Sequence, residues 1–272
     1  MTLSDTYLDY ATLLATLTYT LGGLFYILPI PIHGVKKWGP AMIKDGIYAT
    51  VWIALYKFIF DIAASIMNLL NISWGNYILT LEAEQIIIGA AYIFLSTVLS
   101  LENFFDNIPG LETIISIIGD KQFIKQLAAS LGSALQFLGV LFAFSTLIEF
   151  ATPFFVALGI LFMSLPFRIG KKIGALLVAF SLVFYIGLPF LPSFVNLILG
   201  IIFPTSFPSI FKTIGEIAAA SSLTGNILTA VMPLLQLYVT ISTAYIGILA
   251  AIAYAIGEMI SSGRIPVQID VF

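Results

Sequence analysis

Cysteine is absent from the 272 residues, which excludes disulfides, thiolate metal sites and cysteine nucleophiles and leaves the redox compartment unmarked. Charge is nearly as scarce. Asp, Glu, Lys and Arg make up 9% of the chain, against about 25% in an average soluble domain. The formal net charge is -3, so the strongly basic make-up of a common nucleic-acid binder is missing too. Histidine occurs once, as His33, in the proline-rich "LPIPIHG" with no ligand nearby in sequence, and reads as a loop residue. There is no HExxH, no GxSxG, no GxxxxGK[ST] and no cluster of ligand residues. Hence no catalytic residue, metal or cofactor is expected, and the chain does not read as an enzyme.

What the chain has in excess is apolar sequence. Sixty per cent of it is hydrophobic, and the mean hydropathy is +1.07. Apolar runs recur from residue 10 to residue 257, so no soluble domain can be cut out, and residues 1–272 read as a single integral membrane domain. The opening "MTLSDTYLDY" lacks the basic region of a secretory signal, and the run after it is too long for a signal core. The first apolar segment is therefore expected to remain as a helix.

A crossing needs roughly 20 mostly apolar residues. Counting from charge to charge and stopping at prolines gives about seven spans, at 10–28, 46–70, 83–101, 126–149, 152–167, 173–191 and 228–257. The stretch 192–222 carries Pro192, Pro204 and Pro208 and is too short between them to cross. It reads as a re-entrant or interfacial outer hairpin. The expected architecture is an all-α polytopic helical membrane protein. Short cytoplasmic loops collect Lys and Arg, and an outside N-terminus puts Lys36, Lys37, Lys44, Lys121, Lys125, Arg168, Lys171, Lys172 and Arg264 inside, with only Lys212 outside. The predicted topology is N-terminus outside, C-terminus cytoplasmic. "NIS" at 71–73 is a glycosylation sequon in a predicted outer loop, a pattern that also arises by chance.

Ionisable residues within spans are costly and by default mark functional positions. Lys57 and Asp61 lie four apart on one face of the second span, where they can neutralise each other, with Thr50, Ser65 and Asn68 nearby. This stripe fits a hydrated path or an ion-coupling site; the plainer reading is a structural pair between helices or subunits. The last span carries Gln236, Thr240, Thr243, Gly247, Tyr254 and Glu258, while Gly247, Ala251 and Ala255 have the spacing of close helix packing. Thr12, Thr16 and Thr20 read as packing residues bonded to their own backbone. Leu111, Ile114, Ile115 and Ile118 describe a short amphipathic helix on the inner leaflet, or a docking surface.

The run "LPFRIGKKIGALLVAFSLVFYIGLPFLPSF" places Arg168, Lys171 and Lys172 between a short span and one rich in small residues, Gly174, Ala175, Ala179 and Ser181. It resembles the central region of the CedA family, polytopic proteins of the crenarchaeal DNA-import system, themselves similar to TrbL-type subunits of conjugative type IV secretion machines. The resemblance implies a channel or platform for DNA as cargo, working with small pilin-like membrane subunits and a separate cytoplasmic CedB-like ATPase. It places Arg168, Lys171 and Lys172 as a basic collar at the cytoplasmic mouth, in the plasma membrane; contact with lipid headgroups explains the same collar. Two other classes remain open: a small-solute or ion transporter using Lys57 and Asp61, and a structural membrane scaffold. Assembly as a homo-oligomer is open as well.

Overall fold

The computed structural model describes residues 3–28, 38–105, 121–202 and 225–262, and all the elements in them are helical. In chain order these are α1 (Leu3–Ile27), α2 (Trp38–Leu69), α3 (Trp74–Phe105), α4 (Lys121–Met163), α5 (Lys171–Gly187), α6 (Leu191–Ile202) and α7 (Gly225–Ser262). Short 3₁₀ turns, Pro166–Arg168 and Leu188–Phe190, precede α5 and α6. The all-α membrane architecture expected from composition is therefore present. His33, Lys36, Lys37, the amphipathic stretch 111–118, the hairpin from 203 onward with Lys212, and Arg264 lie outside the described residues.

Among the described residues, six runs are long and apolar enough to cross a membrane, where seven were expected along the whole chain: α1, α2, α3, α4, the run Lys171–Ile201, and α7. The difference comes from proline. The expected fourth and fifth spans, 126–149 and 152–167, lie on the single 43-residue helix α4, which continues through Pro153. Proline removes one backbone bond but is tolerated in membrane helices where neighbours re-satisfy the backbone. The missing N–H takes its bond from the Glu149 carbonyl; beside it the Thr152 hydroxyl donates to the Ile148 carbonyl at 2.5 Å and the Tyr56 hydroxyl to the Pro153 carbonyl at 3.1 Å, contacts that hold this part of the helix without replacing that bond. Likewise Pro189 sits in the 3₁₀ turn and Pro192 in the first turn of α6, positions where a missing N–H costs little. The apolar run therefore continues past 191, the expected end of the sixth span.

The chain forms two compact units. The first comprises residues 1–72, 147–188 and 247–272, the second residues 73–146 and 189–246. In the first, α1 and α2 run antiparallel with their backbones almost touching: a Cβ added to Gly22 would lie 2.8 Å from the Ile43 amide nitrogen. The α4–α5 contact is of the same kind. A Cβ on Gly159 would lie 2.7 Å from the Gly174 carbonyl, and one on Gly174 would collide with the Gly159 carbonyl. Ala11, Tyr56, Val156, Ala157, Ile160, Met163, Ala175 and Val178 fill the core around these approaches. Small residues at helix contacts are how membrane helices gain packing energy without a hydrophobic drive. Of the small residues after the basic cluster, Gly174, Ala175, Ala179 and Ser181 are all buried.

In the second unit, α3 buries Trp74, Tyr77, Leu81, Glu84, Ile88, Ala91 and Leu95, a stripe of alternating three- and four-residue steps. α7 contributes Leu235, Tyr238, Ile241, Ser242 and Tyr245, with the Tyr245 and Phe194 rings 4.7 Å apart.

The sequon "NIS" has a structural explanation. Asn71 adopts φ 54° just after α2; its N–H donates to Asn68 and that of Ile72 donates to Met67, the paired bonds of a Schellman helix end. Ser73 then caps α3, its hydroxyl accepting the Asn76 N–H at 3.2 Å. Two predictions follow from this packing and capping. Gly174→Val, which forces α4 and α5 apart, is expected to cost about 1–3 kcal/mol or more of stability. Ser73→Ala is expected to cost about 1 kcal/mol. Thermal unfolding of the detergent-solubilised chain, followed by tryptophan fluorescence, measures both.

Candidate functional site

The buried stripe of α3 carries a carboxylate. Glu84 is 8% exposed, and the Tyr238 hydroxyl of α7 donates to its Oε2 at 2.6 Å. Two helical turns earlier, the Tyr77 hydroxyl and the Ser145 hydroxyl of α4 lie 2.8 Å apart. A bond this short to a carboxylate suits a group shut away from water. Sequence reasoning did not single out Glu84, which falls at the second position of the expected third span, 83–101; the helix in fact begins nine residues earlier, at Trp74, so the carboxylate sits well inside it. The signal was periodicity: Glu84 falls on the three-and-four step of the apolar stripe, whereas Glu82 falls off it and is exposed.

One face of the second unit carries a stripe of uncharged polar residues. Gln126, Ser130, Ser133 and Gln136 recur at steps of four, three and three, hence on one face of α4. Two open grooves flank Ser133. One, about 350 Å³, lies against α3 and is lined by Tyr92, Ser96, Gly132, Ser133 and Gln136. The other, about 370 Å³, lies against α7 and is lined by Ser130, Ser133, Gln236, Val239 and Thr240. Gln236 and Thr240, singled out from sequence, are thus exposed groove residues, while the α4 half of the face was overlooked. The Thr240 hydroxyl also donates to the Gln236 carbonyl at 2.7 Å.

The basic collar belongs to the first unit. Arg168 closes the 3₁₀ turn before α5, where Phe167 is held at φ 61°, ψ 17°. Lys171 Nζ donates to Asp45 Oδ1 of α2 at 2.8 Å and stands 5.2 Å from the centre of the Tyr48 ring. Lys172 Nζ lies 2.7 Å from Glu258 Oε1 of α7, and the Tyr48 hydroxyl donates to the Ile260 carbonyl at 3.2 Å. The start of α2, the start of α5 and the end of α7 therefore meet at one end of this unit. Side-chain exposure separates the two pairs, 13% and 8% for Lys171 and Asp45 against 62% and 38% for Lys172 and Glu258. The first is a buried structural pair and the second a solvated one, which contributes little.

Lys57, Asp61 and Asn68 are all exposed on α2, and neither Lys57 nor Asp61 makes an ion pair among the described residues. The buried face of α2 is a different one, with Ala49, Tyr56, Ala63 and Met67. Lys57 lies near the middle of the span Trp38–Leu69, where a charge facing hydrocarbon costs about 2.5–3.5 kcal/mol. On α7, Gly247, Ala251 and Ala255 are exposed, so the close contact expected of them is made instead by Gly257, against Leu176. The Thr12, Thr16 and Thr20 hydroxyls bond the backbone of α1 as expected but face outward; Thr18 is the buried one, donating to the Ser164 carbonyl at 2.9 Å.

Removing one partner of a buried polar pair strands the other. Tyr238→Phe is expected to destabilise the chain by about 1–3 kcal/mol, and combination with Glu84→Leu to recover part of that loss, measured as a thermal double-mutant cycle. Lys171→Met, which takes the ammonium away from the buried Asp45 carboxylate, is expected to lower the melting temperature measurably. Lys172→Met is expected to shift the same melting curve far less.

Residues 1–69 match the family model described as DNA import protein CedA1. No solved structure matches the chain. Over 187 residues, 69% of each chain, it is 36% identical to the DNA import protein CedA of Sulfolobus acidocaldarius. Identity of that extent, in a chain of six long apolar helices, makes this multi-pass membrane protein a member of the CedA family of DNA import proteins.

Proposed function

We propose that this chain is a membrane subunit of a DNA-import apparatus, acting as the channel or platform along which DNA passes. The observation that carries the reading is the uncharged polar face formed by Gln126, Ser130, Ser133, Gln136, Gln236 and Thr240, with its two grooves. Hydroxyls and amides in a membrane-spanning segment gain little by facing hydrocarbon. They suit a wet wall. A moving polyanion needs such a wall, because lysine and arginine facing the path would hold each phosphate by counterion release and stall it. Conduction requires contacts weak enough to leave.

The basic end of the first unit complements that wall. Lys44, Lys171 and Lys172 gather there, and on the positive-inside rule it faces the cytoplasm of the plasma membrane, with the N-terminus outside. Arg168, Lys171 and Lys172 then form a collar at the cytoplasmic mouth, although Lys171 and Lys172 already hold Asp45 and Glu258, which leaves orientation as their main work. The chain supplies no chemistry of its own in this reading. A CedB-like ATPase drives transport, and small pilin-like membrane subunits complete the path.

Replacing Ser130, Ser133 and Gln236 together with leucine is expected to reduce DNA transfer between cells severalfold while leaving the protein's level in the membrane unchanged. Marker exchange in cells carrying only the variant reads this out. Undiminished transfer after deletion of the gene overturns the reading as a whole.

A further inference from the structure

Lys57 and Asp61 remain the largest unexplained cost in the first unit. Both are exposed, both lie in the interior of a long apolar span, and neither has a counter-charge among the described residues. Around the helix they share one face with Thr50, Ala54, Ser65 and Asn68, roughly 130° from the buried row Ala49, Tyr56, Ala63. The hydroxyls on this face are already spent on the helix backbone: Thr50 donates to Gly46 and Ser65 to Asp61. The two charges alone need something from outside.

We propose that this face of α2 is a two-fold contact between two copies of the chain, with Lys57 of each copy paired to Asp61 of the other. The argument for a second copy, rather than an unlike partner, is complementarity. All copies in a membrane insert the same way, so a two-fold axis along the membrane normal brings the same face of α2 to itself, and residue i meets j while j meets i. A face carrying one positive and one negative group four residues apart satisfies itself under that operation. The rise between them is about 6 Å, a distance that the flexible lysine side chain covers. Ala54, small and on the same face, lets the helices approach.

The absence of native cysteine makes the test direct. Single cysteines replace Ala54 and Ser65 on the proposed contact face, and Leu55 and Ile66 at matched depths, about 100° around the helix. All four positions are exposed. Oxidation in membranes is expected to give a product of twice 29.6 kDa from Ala54→Cys and Ser65→Cys and little from Leu55→Cys and Ile66→Cys. Lys57→Asp or Asp61→Lys alone puts like charges together and is expected to weaken dimerisation in detergent by about tenfold or more; both changes in one chain restore it. Equal cross-linking on both faces, dimerisation unaffected by the single changes, or a cross-linked product of another mass overturns the proposal, the last in favour of an unlike partner. Should the single charge variants fail to fold, the cysteine series on the otherwise native chain still decides.

Discussion

A polar group on a membrane-spanning helix has no water to bond, and almost every contact described above answers that constraint. Thr12, Thr16, Thr50, Ser65, Thr80, Thr146 and Thr240 turn their hydroxyls back to a carbonyl one turn earlier. Groups that cannot satisfy themselves locally reach across helices: Thr18 to Ser164, Tyr77 to Ser145, Tyr238 to Glu84, Lys171 to Asp45. The first set needs only a helix. The second fixes which helices must be neighbours, because each bond lost would leave a buried donor or acceptor with no substitute.

Other helix pairs are joined by close approach instead, and there the glycines supply it. At Gly22 and Gly39 of the α1–α2 pair, and at Gly159 and Gly174 of the α4–α5 pair, backbone meets backbone with no room for a methyl group. Contacts of that kind fix the register of each pair along its length. In the first unit the fixed register then brings Asp45 to Lys171. Stability and the proposed function are divided accordingly: the buried polar pairs hold helices together, while the polar face of α4 and α7 is the one proposed to meet cargo.

Composition made the helical membrane character legible, because so little charge and so much apolar sequence permit nothing else. The crossings were harder to count. Proline reads as a stop by the rules of soluble helices, yet the helix continues through Pro153, and the apolar run continues past Pro189 and Pro192, which sit in a 3₁₀ turn and a first helical turn where a missing N–H costs little. The polar residues divided by a different logic. Gln236 and Thr240 stood out on α7, but Ser130, Ser133 and Gln136 disappeared into an apolar average that takes no account of which face a residue occupies. Glu84 was passed over because the span was started at 83, which set the acid at its edge, whereas the helix runs from Trp74. Lys171 and Lys172 were visible as a cluster, yet their acids lie on other helices, and no local pattern announces a partner so far along the chain.

The Asp45–Lys171 pair also constrains how the molecule is made. The two residues are 126 positions apart. Synthesis at about 5–20 residues per second means that α2 is complete on the order of ten seconds before its counter-charge emerges. During that interval Asp45 has not yet met Lys171, so the contact that ties α2 to α5 can form only after α5 has been made. The last stage of insertion is thus a docking of late helices onto early ones, and the ion pair is the latch that closes it.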